Sequence, residues 1–171
     1  MIIYLSKLNN FDELDLNKLI YPIKQTFSTD FNIIEIKIIH TLDEIEFAYN
    51  SQRQQYNASM LLYELKKYVK NEFEILIGIT DKDLYDYSLN FIFGEAYINT
   101  AIVSINRFKT GEKKLLYERT IKTIIHELGH IFGLDHCKNT NCVMFFSNSL
   151  VDTDNKSRNI CGQCYQRMKL F

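Results

Sequence analysis

The sequence predicts a single α+β domain, and three observations carry the prediction. Short apolar runs alternate with amphipathic segments up to about residue 108, as helices packed on a sheet require. A long stripe of apolar residues at helical spacing then runs from Glu112 to Phe132. Beyond Gly133 the periodicity fades into a polar tail that holds all four cysteines of the chain. A domain of 171 residues buries roughly 70% of its unfolded surface, enough to fold without covalent staples.

Each element follows from its own pattern. Ile2 to Leu5 reads as a first strand. Leu16, Leu19, Ile20, Ile23 and Phe27 then recur at helical spacing, with Pro22 expected to bend or shorten that helix. Ile33 to Ile39 reads as a second strand whose isoleucines alternate in part with Glu35 and Lys37. From Ser51 to Lys70, Tyr56, Met60, Tyr63 and Leu65 mark a longer amphipathic helix, expected to be the principal one on one face of the sheet. Glu74 to Thr80 is a strongly apolar strand, followed by an acidic, Tyr-rich connection around Asp81, Asp83 and Asp86. Phe91 to Ile98 and Ala101 to Phe108 read as two further strands with a turn near Asn99 and Thr100. Gly94 inside the first of them marks a bulge or a close backbone approach. In the segment from Glu112 to Phe132, Ile121, Ile124, Ile125, Leu128 and Ile131 form the stripe that anchors the helix.

Composition excludes several classes. The formal charge is −1, with Lys and Arg scattered, so there is no electrostatic footprint for nucleic acid or an anionic membrane. No window approaches the roughly 20 apolar residues of a membrane span. The first seven residues lack a basic leader, a long apolar stretch and a small-residue cleavage site, so the expected location is the reducing cytoplasm.

The chemistry is concentrated between His126 and His136, which read H-E-x-x-H-x-x-G-x-x-H. Residues four apart on a helix lie one above the other, so His126 and His130 can share a metal ion. Gly133, past the helix end, can adopt the left-handed conformation that stops the helix and brings His136 back as a third ligand. Three ligands leave a fourth tetrahedral position for water, which separates a hydrolytic zinc site from a closed structural one. Zinc lowers the pKa of bound water toward roughly 7, and Glu127 stands beside the ligands as a base to accept the proton. Asp135 could orient a ligand by hydrogen bonding, although an ordinary loop residue explains it as well. His40, the one histidine outside the motif, reads as structural.

A second ligand cluster begins where the first ends. Cys137 and Cys142 form C-x4-C, and Cys161 and Cys164 form C-x2-C. The set matches a closed four-thiolate site, with each sulfur about 2.3 Å from zinc. Structural zinc contributes on the order of 10 kcal/mol to folding of small modules. Two disulfides, four free thiols, or Cys137 on the catalytic metal are the alternatives. Adjacent residues in an extended segment point to opposite sides, so His136 and Cys137 more naturally serve different ions. Lys138, Lys156, Arg158 and Arg167 flank the thiolates and could offset their charge, yet a solvated face explains them equally well.

These residues resemble the archaemetzincins, a branch of the metzincin zinc metallopeptidases. The resembling core, H-E-x-x-H-x-x-G-x-x-H-C-x4-C-x-M, runs from His126 to Met144 and is followed by C-x2-C at Cys161 and Cys164. Sixteen residues separate Met144 from Cys161, slightly fewer than is usual for the family. Upstream, Arg53-Gln54-Gln55-Tyr56, Phe93-Gly94-Glu95-Ala96 and Ser104-Ile105-Asn106-Arg107 are similar to family segments in the same order.

The resemblance implies a zincin/metzincin-like fold: a twisted mixed sheet with flanking helices, the zinc helix beneath the cleft, and a small C-terminal subdomain stabilised by zinc. The division expected within the single domain 1–171 is 1–133 with the sheet and zinc helix, and 134–171 below. The resemblance also implies that Met144 is the Met-turn methionine. It further implies that the cleft-facing edge strand binds an extended peptide by strand addition, with Gly94, Glu95 and Ala96 the candidate residues. The expected protein is a monomeric zinc peptidase with one catalytic and one structural zinc, acting on peptides, aminopeptidase action being one option. The competing class is a non-catalytic zinc scaffold. An intact Glu127 weighs against it, because a scaffold has no need of a base beside the metal.

Overall fold

The computed structural model describes residues 1–27, 35–42 and 44–168. In chain order these hold β1 (Ile2–Lys7), α1 (Asn17–Phe27), β2 (Glu35–Ile38), β3 (Tyr49–Asn50), β4 (Gln55–Asn57) and α2 (Ala58–Leu65). There follow β5 (Glu74–Thr80), β6 (Leu84–Asp86), β7 (Leu89–Ile92), β8 (Gly94–Tyr97), β9 (Thr100–Ser104) and α3 (Lys113–Ile131). The short helices α4 (Leu150–Asn155) and α5 (Gly162–Tyr165) order the tail.

The frame is a mixed five-stranded sheet in the order β2-β1-β5-β9-β8. The first four strands are parallel, and β8 closes one edge antiparallel to β9. A smaller sheet, β3-β4-β6-β7, lies beside it. Side-chain alternation splits the central strands between two cores. Ile75, Ile77 and Ile79 of β5, with Ala101 and Val103 of β9, join α1 and the α3 stripe in one apolar cluster. Leu76 and Ile102 point the other way, onto Leu61, Leu62 and Leu65 of α2. Burial on both faces explains why β5 is apolar almost throughout. Ile121, Ile124, Ile125, Leu128 and Ile131 all bury, so α3 lies against the sheet as its spacing predicts.

Several predicted boundaries change. The helix expected from Ser51 to Lys70 begins only at Ala58, because Gln54 takes φ 55° in the β3–β4 turn and the Asn57 side chain caps Met60 N–H at 2.9 Å. It ends at Leu65 and continues as one 3₁₀ turn. The single strand expected from Phe91 to Ile98 is two: β7 belongs to the smaller sheet and β8 to the larger, with the break at Phe93. The acidic connection contains β6, whose pairing with β4 and β7 its short sequence does not announce. The strand from Ala101 runs from Thr100 to Ser104, and a 3₁₀ turn covers Asn106–Phe108. Pro22 lies inside α1, which continues to Phe27. Of the strand expected from Ile33 to Ile39, residues Ile33 and Ile34 lie outside the described residues.

The tail is tied to α3 by buried cations. Arg119, 6% exposed, donates from Nε and Nη2 to the two Asp154 carboxylate oxygens at 2.7 Å each, and from Nη1 to Thr110 O at 3.0 Å. Lys122 Nζ donates to Thr153 O and Asp154 O at 2.9 and 2.8 Å. Replacing Arg119 by Met leaves these acceptors without their donor. It should lower unfolding stability by about 2–4 kcal/mol, read as a reduced urea midpoint at unchanged slope; a loss under about 0.5 kcal/mol would show that the bidentate pair adds nothing net.

Candidate metal centres and cleft

The end of α3 is built as a Schellman turn. Gly133 has φ 80°, its N–H donates to His130 O at 3.0 Å, and Leu134 N–H donates to Gly129 O at 2.9 Å. A side chain at 133 would resist that φ, so the glycine is what allows the chain to reverse. The reversal brings His136 back over the helix. Its ring centroid stands 5.2 Å from that of His126 and 4.8 Å from that of His130, and one ring nitrogen from each histidine lies within 4.8 Å of the others.

The hydrogen bonds fix which nitrogens are free. His126 Nδ1 lies 2.8 Å from Val143 O, and His130 Nδ1 lies 2.8 Å from Leu134 O. A carbonyl only accepts, so both Nδ1 atoms carry the proton and both Nε2 atoms present lone pairs. Those Nε2 atoms stand 3.1 Å apart, an arrangement that repels unless a cation shares them. A proton is a poor candidate: burial, then nearby Lys156 and His130, depress the His126 pKa well below its usual value. Burial also lowers His130 and, with His130 beside it, His136. Two nitrogens each 2.0–2.1 Å from a tetrahedral zinc would be about 3.3 Å apart, close to the observed separation. The residues fit zinc. The acceptors that orient the rings are backbone carbonyls; Asp135 stays exposed and His40 lies outside the cluster.

Glu127 is fully enclosed, and burial pushes its carboxyl up to about 8, with Lys156 acting in the opposite direction and Glu95 reinforcing the rise. It packs against β8 so closely that a Cβ on Gly94 would stand 2.6 Å from Glu127 Oε1. The close approach expected at Gly94 is therefore to the acid next to the first histidine. Below the histidines, a Cβ on Gly129 would collide with Met144 Sδ. Met144 is completely buried beneath the zinc helix, and Gly129 is the residue that makes room for it. A cavity of about 570 Å³ opens over this floor, lined on one wall by Gly94, Glu95 and Ala96 and on the other by Phe146, Ser147 and Lys156.

The four cysteines also converge, each offering a sulfur within 4.8 Å of the rest. Cys137 Sγ and Cys161 Sγ are 3.8 Å apart, far from a disulfide bond length. Sulfurs about 2.3 Å from a tetrahedral zinc are separated by about 3.8 Å. All four thiols are free, which removes the disulfide alternative, and Cys137 groups with the other cysteines and not with the histidines. Burial pushes the Cys142 and Cys164 thiols up, while the Cys164 and Cys142 groups hold Cys161 down at about 7. Buried sulfurs this close cannot all ionise without a cation, so this set fits zinc as well. The two clusters share a backbone link: Cys137 N–H donates to Met144 O at 2.9 Å.

A mixed sheet above a helix whose two histidines converge with a third from the turn beyond it, with a buried methionine beneath and a cysteine cluster beside it, defines a zinc metallopeptidase of the metzincin type. The chain belongs to peptidase family M54, the archaemetzincins, whose family profile it matches over residues 25–170. It is 44% identical to the archaemetzincin of Methanopyrus kandleri over 126 residues, covering 72% of this chain and 71% of that protein. The crystal structure of the Methanopyrus kandleri archaemetzincin superposes with a TM-score of 0.88 at 36% identity, covering 98% of this chain and 92% of that one. The Archaeoglobus fulgidus archaemetzincin, crystallised as a malonate complex, gives 0.78 at 32% identity, with 98% and 100% covered. No helix among the described residues is long and apolar enough to cross a membrane.

The structure thus brings together the predicted histidines, Glu127 and the edge residues around one cavity, with Met144 buried beneath the helix, and the four cysteines around another point. It overturns the solvated-face reading of Lys156, which is 4% exposed and lines the cavity. Sequence reasoning missed Gly129, whose role depends on a methionine fifteen residues away, and the carbonyls of Leu134 and Val143, which no side-chain pattern reveals.

In the metal-free protein the pKa of Glu127 implies a sign. The folded state keeps this proton to about pH 8, whereas an unfolded carboxyl loses it near 4.5, so the contribution of Glu127 to stability falls as pH rises through that window. Glu127→Gln should remove this fall, and the variant should gain about 1–3 kcal/mol over wild type between pH 5 and 8, read from urea midpoints in chelator. A constant difference across that range would contradict the burial of an ionisable Glu127.

Proposed function

We propose that the chain hydrolyses peptide bonds at a zinc ion held by His126, His130 and His136, with Glu127 as general base. A second, structural zinc is held by Cys137, Cys142, Cys161 and Cys164. The observation that carries this reading is the enclosure of the Glu127 carboxylate, next to His126 in sequence, at the floor of a cavity whose wall is an open sheet edge.

When bound, zinc supplies Lewis acidity to water and to a peptide carbonyl. The protein does the rest. Its histidines offer neutral nitrogens that need no deprotonation, since burial already holds their pKa values down. Glu127 is buried beside the histidines, where its carboxylate, favoured by the charge of a bound cation and of Lys156, could take a proton from water and return it to the leaving amine. Strand β8 pairs with β9 on one side, and its other edge accommodates an extended peptide through backbone hydrogen bonds along Gly94, Glu95 and Ala96. The same reading takes the protein as a cytoplasmic monomer organised as residues 1–133 and 134–171.

Zinc quantification should return two ions per chain. A peptide-library digest should show cleavage that Glu127→Ala reduces at least a thousandfold while both ions are kept; undiminished cleavage by that variant would rule out Glu127 as the base. Release of single N-terminal residues in the same digest would mark aminopeptidase action, and internal cuts endopeptidase action.

The link from Cys137 to Met144 gives the structural ion a second task, holding the floor under the histidines. Cys161→Ser/Cys164→Ser should lose one zinc and reduce kcat about tenfold, in the range seen when groups that orient metal ligands are removed. Unchanged kinetics with one ion left would show that the two centres are independent.

A further inference from the structure

Lys156 is a buried cation that the charge of Glu127 favours through space but that no described carboxylate contacts. Only 4% of it is exposed, and it lines the cavity that also holds Glu127 and the three histidines. Its Nζ makes one hydrogen bond, to Phe145 O at 3.0 Å, which leaves two N–H donors over. Among the described residues no carboxylate comes within 4 Å of it. Glu127 is the main charge favouring the ammonium, yet it makes no ion-pair contact with it and packs close to Gly94 on β8. Asp154 is taken up by Arg119, and the Asp152 carboxylate by Asn148 N–H and the Ser149 hydroxyl. Burying an ammonium in this way is costly unless an anion completes it.

A second, independent observation lies on the same wall. Ser147 Oγ is buried with no hydrogen-bond partner, and it too lines the cavity. The hydroxyls of Thr123 and Thr153, their neighbours in the lining, are already donated to Arg119 O and Ser149 O. The buried donors left over here are thus an ammonium and a hydroxyl, next to the exposed amide of Asn148. On β8, which lines the same cavity, the leftover atom is of the opposite kind: Glu95 Oε2 is a buried acceptor without a partner.

Resting on the peptidase reading above, we propose that Lys156 and Ser147 form a carboxylate-binding subsite, which selects peptides carrying a carboxylate beyond the scissile bond. Two sources supply that group: the side chain of an acidic residue, or the C-terminal carboxylate of a short peptide. Both present two acceptor oxygens to the spare donors of Lys156 and Ser147, and the carboxylates of Glu95 and Asp86 in the same lining disfavour such a group beside them.

Zinc-loaded Glu127→Ala protein, which does not turn over its ligand, allows the subsite to be read by equilibrium binding. Four fluorescent peptides of otherwise identical sequence are compared: Glu or Gln at a fixed central position with an amidated C-terminus, and a short all-neutral peptide as free acid or amide. At least one carboxylate member should bind ten- to a hundredfold tighter than its neutral partner, as a charge-assisted hydrogen bond provides, and the pair that responds identifies the source. Adding Lys156→Met should bring the responding pair within about twofold, Lys156→Arg should restore most of the preference, and Ser147→Ala should reduce it about fivefold. Equal binding within both pairs overturns the subsite even if no lysine variant folds. A preference that survives Lys156→Met in folded, zinc-loaded protein overturns the role of Lys156. Failure to bind any of the four peptides overturns the peptide reading of the cavity and the subsite with it.

Discussion

Two hydrogen bonds, from His126 Nδ1 to Val143 O and from His130 Nδ1 to Leu134 O, are the interactions on which the rest of the site depends. Each fixes a tautomer, a ring plane and the direction of a lone pair at once. Both acceptors belong to the chain after α3, so that segment must return to the helix before the histidines can converge. Leu134 O is placed by the turn at Gly133, one residue away. Val143 O is placed from farther off. It precedes Met144, which is buried under Gly129, and its own N–H is held by Asn159 O at 3.0 Å.

The thiolate cluster belongs to the same construction. Cys142 precedes Val143, Cys137 is bonded through its backbone to Met144, and Cys161 N–H donates to Cys142 Sγ at 3.3 Å. The tail between them has few apolar side chains to contribute, and Lys122 and Arg119 hold only its α4 portion. A metal at the four sulfurs would fix the remainder, including the carbonyl that orients His126. The two clusters are adjacent in sequence and joined through the Cys137–Met144 backbone bond, so rigidity at one would be passed to the other.

Most of the site was legible because its information is local. His126, His130, Gly133 and His136 lie within eleven residues, and helical periodicity with one reversal suffices to bring them together. The cysteine spacing is similarly short-range. The long strands and α3 were legible because burial on one or both faces imposes a period on them. What failed was of another kind. The helix expected from Ser51 was shortened by a turn at Gln54 and a cap at Asn57 that override the apolar spacing. The strand through Phe93 was divided because two sheets compete for it. Lys156 could not be separated from a solvated lysine, since only the fold turns it inward.

The inward lysine changes the electrostatics of the cleft. Asp86, Glu95, Glu127 and Lys156 are the lining residues that carry formal charge, three carboxylates against one ammonium. Burial works against the charged form of both Glu127, pushed up to about 8, and Lys156, pushed down to about 8, and each charge favours the other. A divalent cation at the histidines offsets the remaining carboxylates and leaves the charges unevenly spread, negative along β8 and positive toward the segment after Met144. A peptide has its own polarity, amine at one end and carboxylate at the other. In a low-dielectric cleft such complementarity is stronger than on an open surface. A peptide bound as proposed would thus be ordered by charge, through residues whose positions depend on the tail that also carries the four cysteines.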